Sequence, residues 1–315
     1  MERRAARAAA RVGWCAAAAL LAVALFPAPA LAWTPGTHVF IGEAVLGALA
    51  LLPAAVAQLL RAFPHDFLYG SIAADTSIAK KYAPVGRHCH SWQVGFEIHD
   101  RARDEPLRAF ALGYLAHLAA DVVAHNYYVP RQLAVTSTTA AIGHSYWESR
   151  FETHLGERYP RKARELILLD HSRSDEHLDR ILSPTIFSTQ TNRRLFRGMV
   201  YVTDTESWQR IFQLVEERSR WDLPQGDVAR YVDRSFDFVV DLFNRLDGSE
   251  PCQLDPAGEE PLRIAKQVRR GAMRRGGTMR AAEEAVRTFG MPTSRLGYAA
   301  GLPRPIYPPE RSSSS

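Results

Sequence analysis

His117, Asp121 and His125 stand at intervals of four in the apolar stretch GYLAHLAADVVAHNYY, residues 113–128. On an α-helix each step of four advances about 40° beyond a full turn, so the three project from one face. Two imidazoles and a carboxylate on an otherwise apolar stripe are costly to desolvate unless they are paired or bind a metal. His and Asp are the nitrogen and oxygen ligands that zinc takes outside thiolate sites. His144 and Glu148 repeat the spacing of four in GHSYWESRFE, residues 143–152. Asp75 in GSIAADT and His90 in RHCHSW lie fifteen positions apart, and His38 follows Trp33 by five. Asp66 and His88 are the reserves for Asp75 and His90. Together these residues predict a metal site assembled from several segments.

The remaining histidines carry blander expectations. His65 suits a cap or the core. His99, His154, His171 and His177 sit among charged residues and are expected at the surface. Trp92, Tyr127, Tyr128, Tyr146 and Trp147 neighbour the candidate ligands, either as core packing or as the lining of a substrate slot.

The elements that must position these groups read as helices. Residues 39–62 are Ala/Leu-rich with a break expected near Pro53. Residues 105–128 place Leu107, Phe110, Ala111, Tyr114, Leu115 and Leu118 at spacings of three and four. Residues 144–170, 205–220 and 226–246 show the same period, the last with Asp227 as N-cap and Gly248 just beyond its end. No stretch alternates with period two. The predicted fold class is all-α, a compact multi-helix bundle with the metal site between helices. Residues 130–143 and 247–261 read as loops, the latter marking a domain edge. Residues 262–290 read as one basic helix interrupted by Gly271, Gly276 and Gly277, and residues 291–315 as a mobile end.

Residues 1–32 read as a secretory signal peptide. Arg3, Arg4, Arg7 and Arg11 precede the apolar run Cys15–Phe26, and the segment closes on Ala30-Leu31-Ala32. That run is shorter than the roughly 20 residues of a bilayer span, and no second segment reads as membrane-spanning. Removal after Ala32 leaves Trp33 first, in a secreted or periplasmic protein. It also leaves Cys89 and Cys252, which could pair or remain thiols. The expected organisation is therefore a signal peptide (1–32), a catalytic domain (33–250) and a basic, partly disordered extension (251–315).

The chain has 315 residues, 46% of them hydrophobic, and 3 Cys, which excludes a disordered chain and a disulfide scaffold. Its formal charge of +5 is misleading as a statement about partners. Residues 1–32 carry +3 and residues 257–315 carry +6, which leaves −4 on residues 33–256. A basic groove for nucleic acid is not supported in the body of the protein.

The constellation resembles the zinc-dependent phospholipase C family, which shares its helical fold with S1/P1-type nucleases. The matching residues are Trp33, His38, Asp75, His90, His117, Asp121, His125, His144 and Glu148. The segments THVFIGEAVL (37–46) and HLAADVVAH (117–125) look most like the catalytic domain of glycosylphosphatidylinositol phospholipase D and its bacterial relatives. The gap from Asp121 to His125 is shorter than in the secreted phospholipases and the nucleases, and the gap from Trp33 to His38 is short as in the nucleases. The resemblance covers roughly residues 33–245. It implies three zinc ions: one on Asp75, His90, His117 and Asp121; a second on His125, His144 and Glu148; a third on the amine and carbonyl of Trp33 with His38 and a shared Asp121. The implied reaction is hydrolysis of a phosphodiester by zinc-activated hydroxide, with Asp75 as proton acceptor. The implied substrate is a phospholipid at a membrane surface, cut in C-type or D-type fashion by a monomer. The alternative is a nuclease acting on single-stranded nucleic acid.

Overall fold

A computed structural model describes residues 33–77, 82–84, 86–136, 140–203, 219 and 221–307. The signal segment, most of the helix expected over 205–220 and the last residues of the tail lie outside the described residues. Among the described residues there is no strand. Helices run in the order α1 (Pro35–Gly47), α2 (Ala54–Ala62), α3 (Pro64–Ala73), α4 (Trp92–Asp100), α5 (Glu105–Val123), α6 (Val129–Thr136), α7 (Ala140–Leu155), α8 (Arg158–Ile167), α9 (Ser172–Asp179), α10 (Thr189–Thr203), α11 (Gln225–Arg245), α12 (Glu259–Arg275) and α13 (Gly277–Phe289).

α5 is the axis of the bundle. Asp104 caps it by accepting from Leu107 N at 3.0 Å, and Pro106 occupies its first turn, where a missing N–H costs nothing. Its apolar residues face every direction rather than one stripe, so it must be enclosed. α3, α4 and α11 pack around it, and α1 lies against α3 and α11. By length and composition Glu105–Thr136 could cross a bilayer, contrary to the reading that no such segment follows residue 32. However, 94% of its apolar window is buried inside the protein, which makes it a core helix.

The approach of α3 to α5 depends on two glycines. A Cβ on Gly113 would overlap the Phe67 carbonyl oxygen and come within 2.9 Å of Gly70 Cα and Ser71 N. A Cβ on Gly70 would overlap the Phe110 carbonyl oxygen. Backbone therefore packs on backbone here, which only residues lacking Cβ allow.

Several element boundaries differ from expectation. The loop expected over 130–143 is largely helix. Pro130 sits in the first turn of α6, Leu133 and Ala134 are buried, and α7 already runs from Ala140. The helix expected over 144–170 is split by Gly156, whose φ of 91° ends α7 before α8 starts. Asp227 lies in the first turn of α11 rather than at its cap, which is Pro224. The basic helix over 262–290 is interrupted at Gly276 as expected, giving the α12–α13 hairpin, but runs unbroken through Gly271. That hairpin packs on α6 through Ala265, Ala281, Ala285 and Phe289. Cys89 and Cys252 are not joined in a disulfide.

Candidate metal centre

Five elements deliver seven of the candidate ligands, and His125 comes from a sixth. α1 carries His38. A short 3₁₀ turn, Ala74–Thr76, extends α3 and carries Asp75. The turn before α4 carries His90, α5 carries His117 and Asp121, and α7 carries His144 and Glu148. None of these side chains is more than 2% exposed.

Asp121 is the hub. Its Oδ2 lies 3.1 Å from both His90 Nε2 and His117 Nε2, and its Oδ1 lies 3.2 Å from His38 Nε2. Asp75 Oδ1 adds a second carboxylate, 3.3 Å from His90 Nε2 and 4.0 Å from His117 Nε2. His38 and His117 stack with centroids 3.9 Å apart. Burial opposes ionisation of Asp121, but His117 and the close imidazoles of His38 and His90 hold its carboxyl well below the usual range. Burial, then the neighbouring His117, pushes His38 down to about 4, so its imidazole is neutral near pH 7.

These atoms converge without pairing well. His38 Nε2 and both Asp121 oxygens are buried and make no aligned hydrogen bond. Buried polar atoms are normally satisfied, and a shared cation is one way to satisfy atoms aimed at a common point. The far side of the His117 ring supports this. His117 Nδ1 lies 2.8 Å from the Ser71 carbonyl oxygen, so Nδ1 carries a proton, and in the neutral, metal-binding form of the ring Nε2 is the nitrogen left to face the cluster. The donor set therefore fits divalent zinc.

His125 lies at the start of a π-turn that follows α5. Residues Ala124–Tyr128 form a π-turn that inserts extra backbone into the helix. The turn carries His125 toward α7, where its ring meets that of His144 at 5.2 Å and 88°. His144 Nε2 lies 2.7 Å from Glu148 Oε1. His125, His144 and Glu148 thus form a second buried group with ligand atoms within 4.8 Å of one another. Its ring is 6.4 Å from that of His90, so the two groups adjoin.

Trp33 is fully buried. Its Nε1 donates to the carbonyl of Ala120, the neighbour of Asp121, at 3.0 Å, and Tyr128 and Phe151 cover its ring. Of the reserves, Asp66 stands aside, whereas His88 groups with Cys89 and His90, their ligand atoms within 4.8 Å of one another. Asp66 lies in the first turn of α3, and His88 flanks the cluster with Nδ1 accepting from His90 N at 3.1 Å. His65 is exposed. His171 and His177 are buried rather than superficial: each ring nitrogen meets a backbone carbonyl, that of Leu166 at 2.7 Å and of Ile98 at 2.9 Å. Tyr128 and Trp147 are core residues, whereas Trp92, Tyr127 and Tyr146 are only half-buried.

Sequence reasoning missed the groups behind the ligands. The Ser71 and Pro256 carbonyls and Cys89, whose Sγ lies 3.2 Å from His90 Nδ1, hold imidazoles in place. It also missed Glu152, which takes hydrogen bonds from the Thr34 hydroxyl at 2.5 Å and from Gly36 N and Thr37 N at the start of α1. Burial pushes Glu152 up to about 7 against those bonds. A carboxyl raised in the folded state contributes stability that is complete below its ordinary value of 4.5 and is lost as pH rises through about 7. Glu152→Gln should therefore melt higher than the parent at pH 8, with the advantage shrinking toward pH 4.5. A variant that melts lower at pH 8 contradicts the shift.

A family model described as zinc dependent phospholipase C matches residues 37–193, about half of the chain. No curated protein and no solved structure matches. The matched span holds the ligand groups built around His38, Asp75, His90, His117, Asp121, His125, His144 and Glu148. Through residues 37–193 the chain belongs to the zinc-dependent phospholipase C family and is a zinc-dependent phosphoric ester hydrolase.

Proposed function

We propose that the chain is an exported phospholipase that hydrolyses the glycerol-side phosphodiester of phospholipids with three zinc ions. The observation that carries the reading is the Asp121 carboxylate, buried among three imidazole Nε2 atoms at 3.1–3.2 Å. Asp75, His90, His117 and Asp121 would hold one ion, and His125, His144 and Glu148 a second. The third falls to His38, the shared Asp121 and the amine and carbonyl of Trp33. The indole contact with Ala120 supports that role by pinning Trp33 beside Asp121. A free α-amine, with a pKa of about 7.7–8, can shed its proton to a metal, whereas a peptide nitrogen in the uncut precursor cannot serve that way. Signal removal after Ala32 would then complete the site, in a secreted or periplasmic protein acting as a monomer.

Zinc supplies Lewis acidity, bringing the pKa of water to about 7 and offsetting charge on phosphoryl oxygens. The protein's own groups do the rest. Ser71 O orients His117, Asp121 ties α1 and the turn before α4 to α5, and the enclosing helices bury the ligand groups. Asp75, fully buried beside His90 and His117, is the carboxylate placed to take a proton from the attacking water.

Product analysis tests the reading. Purified mature chain is offered phosphatidylcholine, phosphatidylinositol and single-stranded DNA, with and without a chelator. Diacylglycerol formed only without chelator is expected. Phosphatidic acid as the product, or cut DNA with intact lipid, would overturn it.

A further inference from the structure

The segment Leu254–Gly258 lies beyond the family match, yet it presses directly on the π-turn that carries His125. Three contacts fasten it. The Pro256 carbonyl oxygen stands 2.5 Å from His125 Nδ1. Asn126 Nδ2 donates to the Asp255 carbonyl at 2.8 Å, and Trp92 Nε1 donates to the Leu254 carbonyl at 2.9 Å. Asp255 also shapes the segment from within. Its carboxylate accepts from Ala257 N at 2.9 Å and from Glu259 N at 3.1 Å, which turns the chain sharply into α12. Gly258 closes the turn with φ of 59°. A Cβ there would overlap His125 Cβ and lie 2.6 Å from the His125 carbonyl oxygen, so the strap sits against the helix at a distance that only glycine permits.

The chemistry of the contact is directional. A carbonyl oxygen can only accept, so His125 Nδ1 must carry a proton, and in the neutral ring, the form that binds a metal, Nε2 carries the lone pair. His117 meets the Ser71 carbonyl in the same way, but from α3 inside the family domain. For His125 the corresponding group comes from 131 residues further along the chain. We propose that Leu254–Gly258 is a positioning strap for the second metal group: the Pro256 carbonyl locks His125 in its Nδ1–H tautomer and aims Nε2 at the site shared with His144 and Glu148. The strap explains why the α12–α13 hairpin packs on α6: the hairpin anchors the strap. This inference rests on the metal reading of His125, His144 and Glu148.

Partners that orient a ligating histidine typically change metal affinity 10–100-fold. The test uses the full mature chain and a Trp92→Phe/Asp255→Ala variant, which removes one fastener of the strap and the carboxylate that shapes it and touches no ligand. Two-bond ¹H–¹⁵N spectra of the zinc-free protein report the His125 tautomer, and chelator competition reports the affinity of each bound zinc. The parent should show His125 as Nδ1–H. The variant should show a mixture of tautomers and a 10–100-fold weaker affinity for one zinc only, with the others and the zinc-free melting temperature unchanged. An Nε2–H tautomer in the parent, unchanged zinc affinity in the variant, or equal weakening of every zinc overturns the strap. If the parent binds no zinc, the metal reading fails, and the tautomer measurement still decides whether the strap orients His125.

Discussion

Asp121→Asn should lower phospholipid hydrolysis by at least about 100-fold, a floor set by the effect of removing outer partners of metal ligands. It should also cost the protein bound zinc. Asp121 is the residue whose loss reaches furthest, because both its oxygens are engaged, Oδ2 with His90 and His117 and Oδ1 with His38. An amide keeps the shape but removes the negative charge and replaces one acceptor with a donor. That donor would point into a group of imidazole lone pairs. The zinc-free variant should nevertheless remain folded, and without zinc it is relieved of a buried charge. Zinc per chain and melting temperature before and after chelation measure both effects. Parent-like zinc content with parent-like turnover would show that Asp121 is not a ligand.

Gly113→Ala should destabilise the fold by about 3 kcal/mol or more, the upper end for forcing extra volume into a packed core. For a domain of this size that is a fall in melting temperature of roughly 6–12 °C. The added methyl would overlap the Phe67 carbonyl oxygen and crowd Gly70 Cα and Ser71 N at 2.9 Å, all of them backbone atoms of α3 that cannot rotate away. α3 must then shift from α5. Ser71 O, the acceptor for His117 Nδ1, moves with it, so zinc affinity should fall along with stability. Thermal unfolding and chelator competition on the same sample check the coupling. A variant as stable as the parent would mean that the two helices do not approach as closely as the structure shows.

The parts of this site legible in the sequence were those with a local period. His117–Asp121 and His144–Glu148 are one helical turn apart, and the structure places each pair within 3.1 Å. The all-α class was equally legible, because α11 carries a long apolar period and no stretch alternates with period two. The π-turn at Ala124–Tyr128 that carries His125 was not legible, because a π-turn leaves no compositional mark. The Ser/Thr content of residues 130–143 suggested a loop, but packing of Leu133 and Ala134 outweighed propensity in α6. His171 and His177 were misplaced because their neighbours are charged, whereas their rings turn inward to carbonyls. The carbonyls of Ser71 and Pro256 had no signature at all, since any residue supplies one. Only the fold brings them behind His117 and His125.

If the buried His/Asp/Glu groups work by holding zinc, phospholipid hydrolysis by chelator-stripped mature protein must follow zinc added back in measured equivalents. Activity should be absent at zero zinc, rise with added metal and stop rising at three per chain. Full hydrolysis by protein shown to contain no metal would contradict the account.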